Sequence, residues 1–355
     1  MRKSWLLLAP SLLAIASCSG GGSGGSGGGG TVVTPSPTAT PAPDPGPSPA
    51  PTPTPAATPT PSSEPATGSD FFTSIAQLYT VQPDIAACQA GQLKPEVGAR
   101  VLALVNDIRA RHALPPVTYA AAEEAAVQQS SLMMAANGAL SHTPPTNWNC
   151  YTGAGATAAG QSNIYLGSGG GLRYSQDGDI VIGWLTDVNN LVIDSVGHRR
   201  WLLYPFLSTI SYGRVAGRYQ TSNRADGASI KVINSAQNTA GPLPDFVAYP
   251  YQDYPARYFN TSALLSFGVI ANKTSAFGAN ASVNFSGATI AVRARGGAAM
   301  TVSKIAYDND GYGLPNNLQF AVAGLATNTI YDVTISNVVV AGTARNYSYF
   351  FRVVP

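Results

Sequence analysis

Apolar residues recur at three- and four-residue intervals between positions 95 and 111: Val97, Val101, Leu104, Val105 and Ile108. That spacing puts them on one face of a helix. Pro95 suits a first-turn position, and Leu114-Pro115-Pro116 stops the helix because proline donates no amide and restrains the residue before it. Residues 120–137, rich in Ala, Glu and Gln, predict a second helix, with Gly138 as its left-handed cap. Residues 143–178 read as loop, and residues 179–190 as a third helix carrying Ile180, Trp184 and Val188 on one face. A short fourth helix is expected after Asp194 or Ser195, either of which can cap it, with His198 in its first turns. Residues 208–216 and 228–233 read as strands.

The pattern changes past a Pro/Tyr-rich connector at residues 239–258. Seven segments then alternate or run with β-branched and aromatic residues, at 264–271, 281–285, 289–294, 300–307, 318–322, 330–340 and 347–354. Short strands at this spacing predict an immunoglobulin-like sandwich over residues 259–355. Upstream, residues 70–238 form the first folded domain, with its core at 95–233. The expected class is α+β, followed by an all-β domain.

Residues 19–30 are Gly and Ser only, and residues 31–68 are Pro/Thr/Ala/Ser-rich with Asp44 and Glu64 as their only charges. Such a tether, taken as residues 19–69, cannot bury a core. Extended, it reaches on the order of 100 Å. Before it lie Arg2-Lys3 and an apolar run at 5–16, the pattern of a secretory signal over residues 1–18 and too short for a membrane span. The signal ends in Ile15-Ala16-Ser17-Cys18, which resembles the bacterial lipobox and implies a diacylated Cys18 at the mature N-terminus. Ser19, where an aspartate retains lipoproteins at the inner membrane, favours the outer membrane or cell surface by the same resemblance.

Composition narrows the partners. Loss of Arg2 and Lys3 from 20 basic residues leaves 18 against 18 acidic ones, so there is no electrostatic footprint for nucleic acid. Cys88 and Cys150 are an even pair, which reads as one disulfide in an oxidising compartment, the other reading being two buried thiols.

Candidate chemistry gathers around two of the three histidines. His142 lies in Gly138-Ala139-Leu140-Ser141-His142-Thr143, and His198 in Val196-Gly197-His198-Arg199-Arg200-Trp201. Four pieces in order resemble the CAP family of cysteine-rich secretory proteins, antigen 5 and PR-1: Leu102 to Arg109 with Leu114-Pro115-Pro116-Val117; Met133 to Gly138 leading to Ser141-His142-Thr143; Gly160-Gln161-Ser162-Asn163-Ile164; and Trp184 followed by Gly197-His198-Arg199. The resemblance implies an α-β-α sandwich with a cleft tetrad of two histidines and two acids, which binds zinc in some members. His142 and His198 match the histidines, and Asp187 one acid; the other acid falls on Gln161 or Ser162, neither of which carries a charge.

Two imidazoles and a carboxylate are enough for a three-ligand zinc site of His142, His198 and Asp187, or for a metal-free acid–base pair of a histidine with Asp187. Structural histidines are the plain alternative. Three functions follow: a lipid-anchored module binding an apolar or cell-envelope ligand in a two-histidine cleft; a zinc-dependent hydrolase of envelope peptide or glycan; or a structural, adhesive surface protein. The remaining features read as structural. His112 is expected to be a cation at a helix end, Arg199-Arg200 a solvated face, and Trp184 and Trp201 core aromatics. Asp308-Asn309-Asp310-Gly311 resembles the start of a calcium loop but has Gln319 at the closing position. Outside the Gly/Ser run of residues 19–30, no Gly-x-Ser-x-Gly elbow is present for a serine nucleophile.

Overall fold

Residues 64–69, read as the end of the tether, are already tied to the fold: Glu64 Oε1 accepts from the Tyr174 hydroxyl and the Asp177 amide, each at 2.7 Å. Helix α1 (Phe71–Ile75) follows, capped by Asp70, whose Oδ1 accepts from the Thr73 amide at 2.9 Å. The computed structural model describes residues 64–191, 196–220, 223–238 and 241–355. Cys18, tether residues 19–63, and the expected caps Asp194 and Ser195 lie outside the described residues. Strands β1 (Tyr79–Val81) and β2 (Gln92–Leu93) pair antiparallel. Helix α2 (Pro95–Arg111) follows the predicted stripe: Val97, Val101, Val105 and Ile108 are each 1% exposed. After β3 (Thr118–Tyr119) comes a 3-10 turn, Ala121–Glu123, and then α3 (Glu124–Asn137), closed by Gly138 at φ 58°.

Residues 143–178, expected as loop, hold two elements. Helix α4 (Gly153–Gly160) starts at Thr152, whose Oγ1 accepts from the Gly155 amide at 3.0 Å, and strand β4 (Ser162–Gly169) follows. The Gly/Ala composition of α4 carries no amphipathic stripe; the helix exists because it packs on α3, with Met134 and Ala159 fully buried together. Helix α5 (Asp177–Thr186) ends four residues before its predicted limit. Helix α6 (Gly197–Leu202), β5 (Thr209–Tyr219) and β6 (Asn223–Lys231) complete this part.

The sheet runs β3-β5-β6-β4, antiparallel except where β3 lies parallel to β5. Alternation along β5 sends Ile210 and Tyr212 into a core shared with α1, α2, α5 and α6. The opposite face packs on α3, where a Cβ on Gly213 would sit 2.6 Å from the Gln128 amide nitrogen. Only glycine lets α3 approach that closely. The helix–sheet–helix arrangement implied by the resemblance is therefore present. A disulfide joins Cys88 to Cys150.

The C-terminal part is built from β7 (Phe246–Tyr249), β8 (Gln252–Pro255), β9 (Leu265–Val269), β10 (Thr289–Ala294), β11 (Val302–Asp308), β12 (Asn317–Val322), β13 (Ile330–Val340) and β14 (Thr343–Val354). Two four-stranded sheets, β10-β13-β14-β8 and β11-β12-β9-β7, share a core that includes Phe267, Phe320, Val333 and Phe351. The stretch read as connector thus supplies an edge strand to each sheet. Residues 281–285, expected as a strand, instead form a 3-10 turn, Gly278–Ser282, and one bridge from Asn284 to Val339. The buried Asn280 amide donates to the Asn272 and Ser275 carbonyls and holds this segment as a loop.

All described residues belong to one compact unit, and His112 is one of its internal ties. Expected as a cation at a helix end, it is 2% exposed, with Nε2 3.1 Å from the Tyr254 hydroxyl on β8. Burial, reinforced by Arg199, Arg109 and Arg111, pushes its pKa down to about 3. The unfolded chain takes up this proton near pH 6.5 and the folded one does not. Stability should therefore fall as pH drops below about 6.5, by up to about 1.4 kcal/mol per pH unit from this group, until about pH 3. Urea unfolding between pH 7 and 4 checks this: His112→Gln should flatten the slope, and an unchanged slope would assign it elsewhere.

Candidate functional site

Two turns of backbone place the candidate residues. Helix α5 ends because Asp187 adopts a left-handed conformation at φ 57°, with its amide on the Gly183 carbonyl at 2.9 Å. This aims the Asp187 side chain at the start of α6, where Oδ2 accepts from the His198 amide at 3.1 Å. Asp187 Oδ1 lies 2.8 Å from His198 Nδ1, and the Asp187 side chain is only 1% exposed. The carboxylate therefore satisfies an amide in the first turn of α6. The residue before α6 is Val196, itself left-handed at φ 41°.

A carboxylate can only accept, so His198 donates from Nδ1, and in the neutral imidazole Nε2 is the acceptor. His142 arrives by another route and reaches the same state. Its Nδ1 lies 2.9 Å from the Ala159 carbonyl at the end of α4, so it donates there, and Nε2 is again the acceptor. Asn163 on β4 donates from Nδ2 to the His198 carbonyl at 3.0 Å, which ties α6 to the sheet.

Both histidines line the same cleft, which has two lobes. The larger, about 610 Å³, has walls that include Leu140, Ile164, Trp184 and Leu191. The smaller, about 280 Å³, is bounded by Ser162, Trp201, Ile233 and Tyr312. Of the two residues at the missing-acid position, Ser162 lines the smaller lobe. Gln161, the other possibility, ends α4, accepts from the Val232 and Ile233 amides through its carbonyl, and lines neither lobe.

The donor set does not fit the zinc site that the sequence left open. Both Asp187 oxygens are engaged by His198, with the Arg199 amide also near Oδ2 at 3.5 Å. Asp187 is the residue that orients His198, not a ligand. Two Nε2 atoms remain, one short of the three protein ligands of a catalytic zinc. Among the described residues no cluster of three His, Cys, Asp or Glu side chains is arranged to hold a metal.

Neighbouring features also differ from expectation. Arg199 and Arg200 are buried, at 1% and 7% exposed. Asp308, first residue of the calcium-like stretch, pairs with Arg200 Nη1 at 2.8 Å. Trp184 is buried and donates to the Ile164 carbonyl at 3.1 Å, while Trp201 is only half-buried and lines the smaller lobe. Tyr312 was not singled out from the sequence, and no local signal marks a residue so distant in the chain.

The model of CAP, the cysteine-rich secretory protein family, matches residues 102–225, about a third of the chain. Among solved structures, an extracellular protein containing an SCP domain from Bacillus anthracis str. Ames is similar at 21% identity with a TM-score of 0.23. The match covers 39% of this chain and 44% of that one, less than half its length. No curated protein matches the chain.

Proposed function

We propose that this chain is a lipid-anchored extracytoplasmic CAP-domain protein that binds an uncharged cell-envelope ligand in its two-histidine cleft. The observation that carries the reading is the pair of imidazoles lining one cleft, each tied through Nδ1 to a fixed acceptor so that Nε2 is the acceptor of the neutral ring. Apolar walls provide the larger share of the contact, and the two acceptors orient the ligand's hydroxyl or amide hydrogens. The Cys88–Cys150 bridge supports an oxidising compartment. The Ile15-Ala16-Ser17-Cys18 motif supports the lipid anchor, at the outer membrane or cell surface. We read the C-terminal pair of sheets as an immunoglobulin-like sandwich.

Envelope extract fractionated over the immobilised protein should leave material that the His142→Ala/His198→Ala variant retains about tenfold less well, the worth of two neutral hydrogen bonds. Equal retention by both proteins would move the function to the sandwich, as an adhesive surface. Zinc analysis of protein purified without chelator addresses the hydrolase reading. Stoichiometric zinc that is lost in His142→Ala would favour it over binding alone.

A further inference from the structure

The smaller lobe of the cleft is not made by the CAP part of the chain alone. One wall is Tyr312, from the loop between β11 and β12 of the C-terminal sandwich. That loop is fixed against α6. Arg200 Nη1 pairs with Asp308 Oδ1 at 2.8 Å, Nη2 donates to the Leu314 carbonyl at 3.3 Å, and the guanidinium lies 5.5 Å from the centre of the Tyr312 ring. Gly313 adopts φ +62°, and a Cβ there would fall 2.4 Å from the Arg200 carbonyl oxygen. The backbones touch, so only glycine fits. Asn309 Nδ2 donates to the Ala281 and Val283 carbonyls at 3.1 Å each, which pins the other end. Tyr312 nevertheless leaves 41% of its surface exposed.

A second, independent observation lies across the lobe. Ser162 is 4% exposed, and its Oγ has no hydrogen-bond partner among the described residues. A buried hydroxyl without a partner is costly unless something satisfies it. His142, His198 and the half-buried Trp201 line the same lobe, and none of the side chains lining it carries a fixed charge. An anionic ligand would lose its hydration there without a countercharge. A plain acyl chain would leave Ser162 and both imidazoles unmatched.

We infer that the smaller lobe is a subsite for a neutral saccharide ring, with Tyr312 of the sandwich as its specificity-determining wall. Ring hydroxyls donate to the two Nε2 atoms and exchange a hydrogen bond with Ser162 Oγ, while the C–H face of the ring packs on Tyr312 and Trp201. The inference rests on the cleft-binding reading and names its ligand class.

The test uses the full mature chain on an array of neutral and acidic oligosaccharides, with hits measured by titration calorimetry. Neutral glycans should bind and acidic ones should not. Tyr312→Ala should weaken binding at least tenfold, while Tyr312→Phe keeps most of it. Ser162→Ala should weaken binding several-fold and raise the Tm, because it removes an unmatched buried hydroxyl; a variant that failed to fold would not raise it. Failure of every neutral glycan to bind overturns the inference, as does wild-type affinity in Tyr312→Ala. If either failure occurs while envelope material still depends on the histidine pair, the cleft reading stands and only the saccharide subsite falls.

Discussion

Replacing Arg214 by methionine is expected to lower the unfolding free energy by about 3–5 kcal/mol. Arg214 lies on β5 with no exposed side-chain surface, between two carboxylates that are each 1% exposed. Nε and Nη2 bind Asp226 at 2.8 and 2.6 Å, Nη1 binds Asp177 at 2.8 Å, and Nη2 also reaches the Ser175 carbonyl at 2.8 Å. Two neighbouring aspartates outweigh burial and hold its pKa well above the ordinary arginine value. Methionine fills much of the volume but leaves Asp226 buried with no cation and Asp177 with Arg100 alone, at 3.3 Å. The stability of such a pair against an apolar substitute is modest; the cost comes from stranding the partner. Urea unfolding should therefore show a large fall for Arg214→Met and a partial recovery for Arg214→Met/Asp226→Leu. A single variant within 1 kcal/mol of wild type would mean the carboxylates find water or a proton at little cost.

None of this network was legible in the sequence. Arg214, Asp177 and Asp226 carry no periodic signal, and hydrophobic patterning cannot report which charges the fold will bury together. What patterning did report was the apolar stripe of α2, because Val97 to Ile108 depends only on helical geometry. It failed where tertiary packing overrides local preference. The α4 segment Gly-Ala-Gly-Ala-Thr-Ala-Ala-Gly has weak helix propensity and no stripe, yet it folds against α3. Residues 246–255 contain two prolines and read as connector, although an edge strand asks little more than extended backbone.

The candidate site was legible by type and not by role. The sequence named His142, His198 and Asp187, and the fold does bring all three to one cleft. Their division of labour depends on the left-handed turn at Asp187, a conformation more often filled by glycine and invisible to spacing arguments. That turn directs the carboxylate to His198 and to the head of α6, so a residue read as a ligand becomes a cap. Likewise, that Ser162 and not Gln161 lines the cleft follows only from the register of β4 against β6, with Ser162 opposite Lys231 and buried.

Arg199→Met should abolish cleft binding without removing any group that faces the cleft. Arg199 is 1% exposed, and its guanidinium holds three separate parts of the chain. Nε donates to the Leu185 carbonyl at 2.7 Å and Nη2 to the Thr186 carbonyl at 2.7 Å, which fixes the end of α5 directly before Asp187. Nη1 reaches the Leu264 carbonyl at 2.7 Å and Ser266 Oγ at 3.1 Å, on and beside strand β9 of the sandwich. The Tyr249 ring lies 3.8 Å beneath it. Methionine leaves these acceptors buried and unmatched, a loss of about 3 kcal/mol or more. It also releases the corner on which Asp187 is aimed at His198. Lysine should not rescue the variant, since one ammonium cannot meet four acceptors spread across a planar fork. The check is binding of envelope material together with the His198 imidazole nitrogen shifts, which report whether Nδ1 still carries the proton. Loss of binding with an altered His198 tautomer is the expected pair of results. Wild-type binding by a folded Arg199→Met protein would mean that the α5–α6 corner holds Asp187 in place without the sandwich.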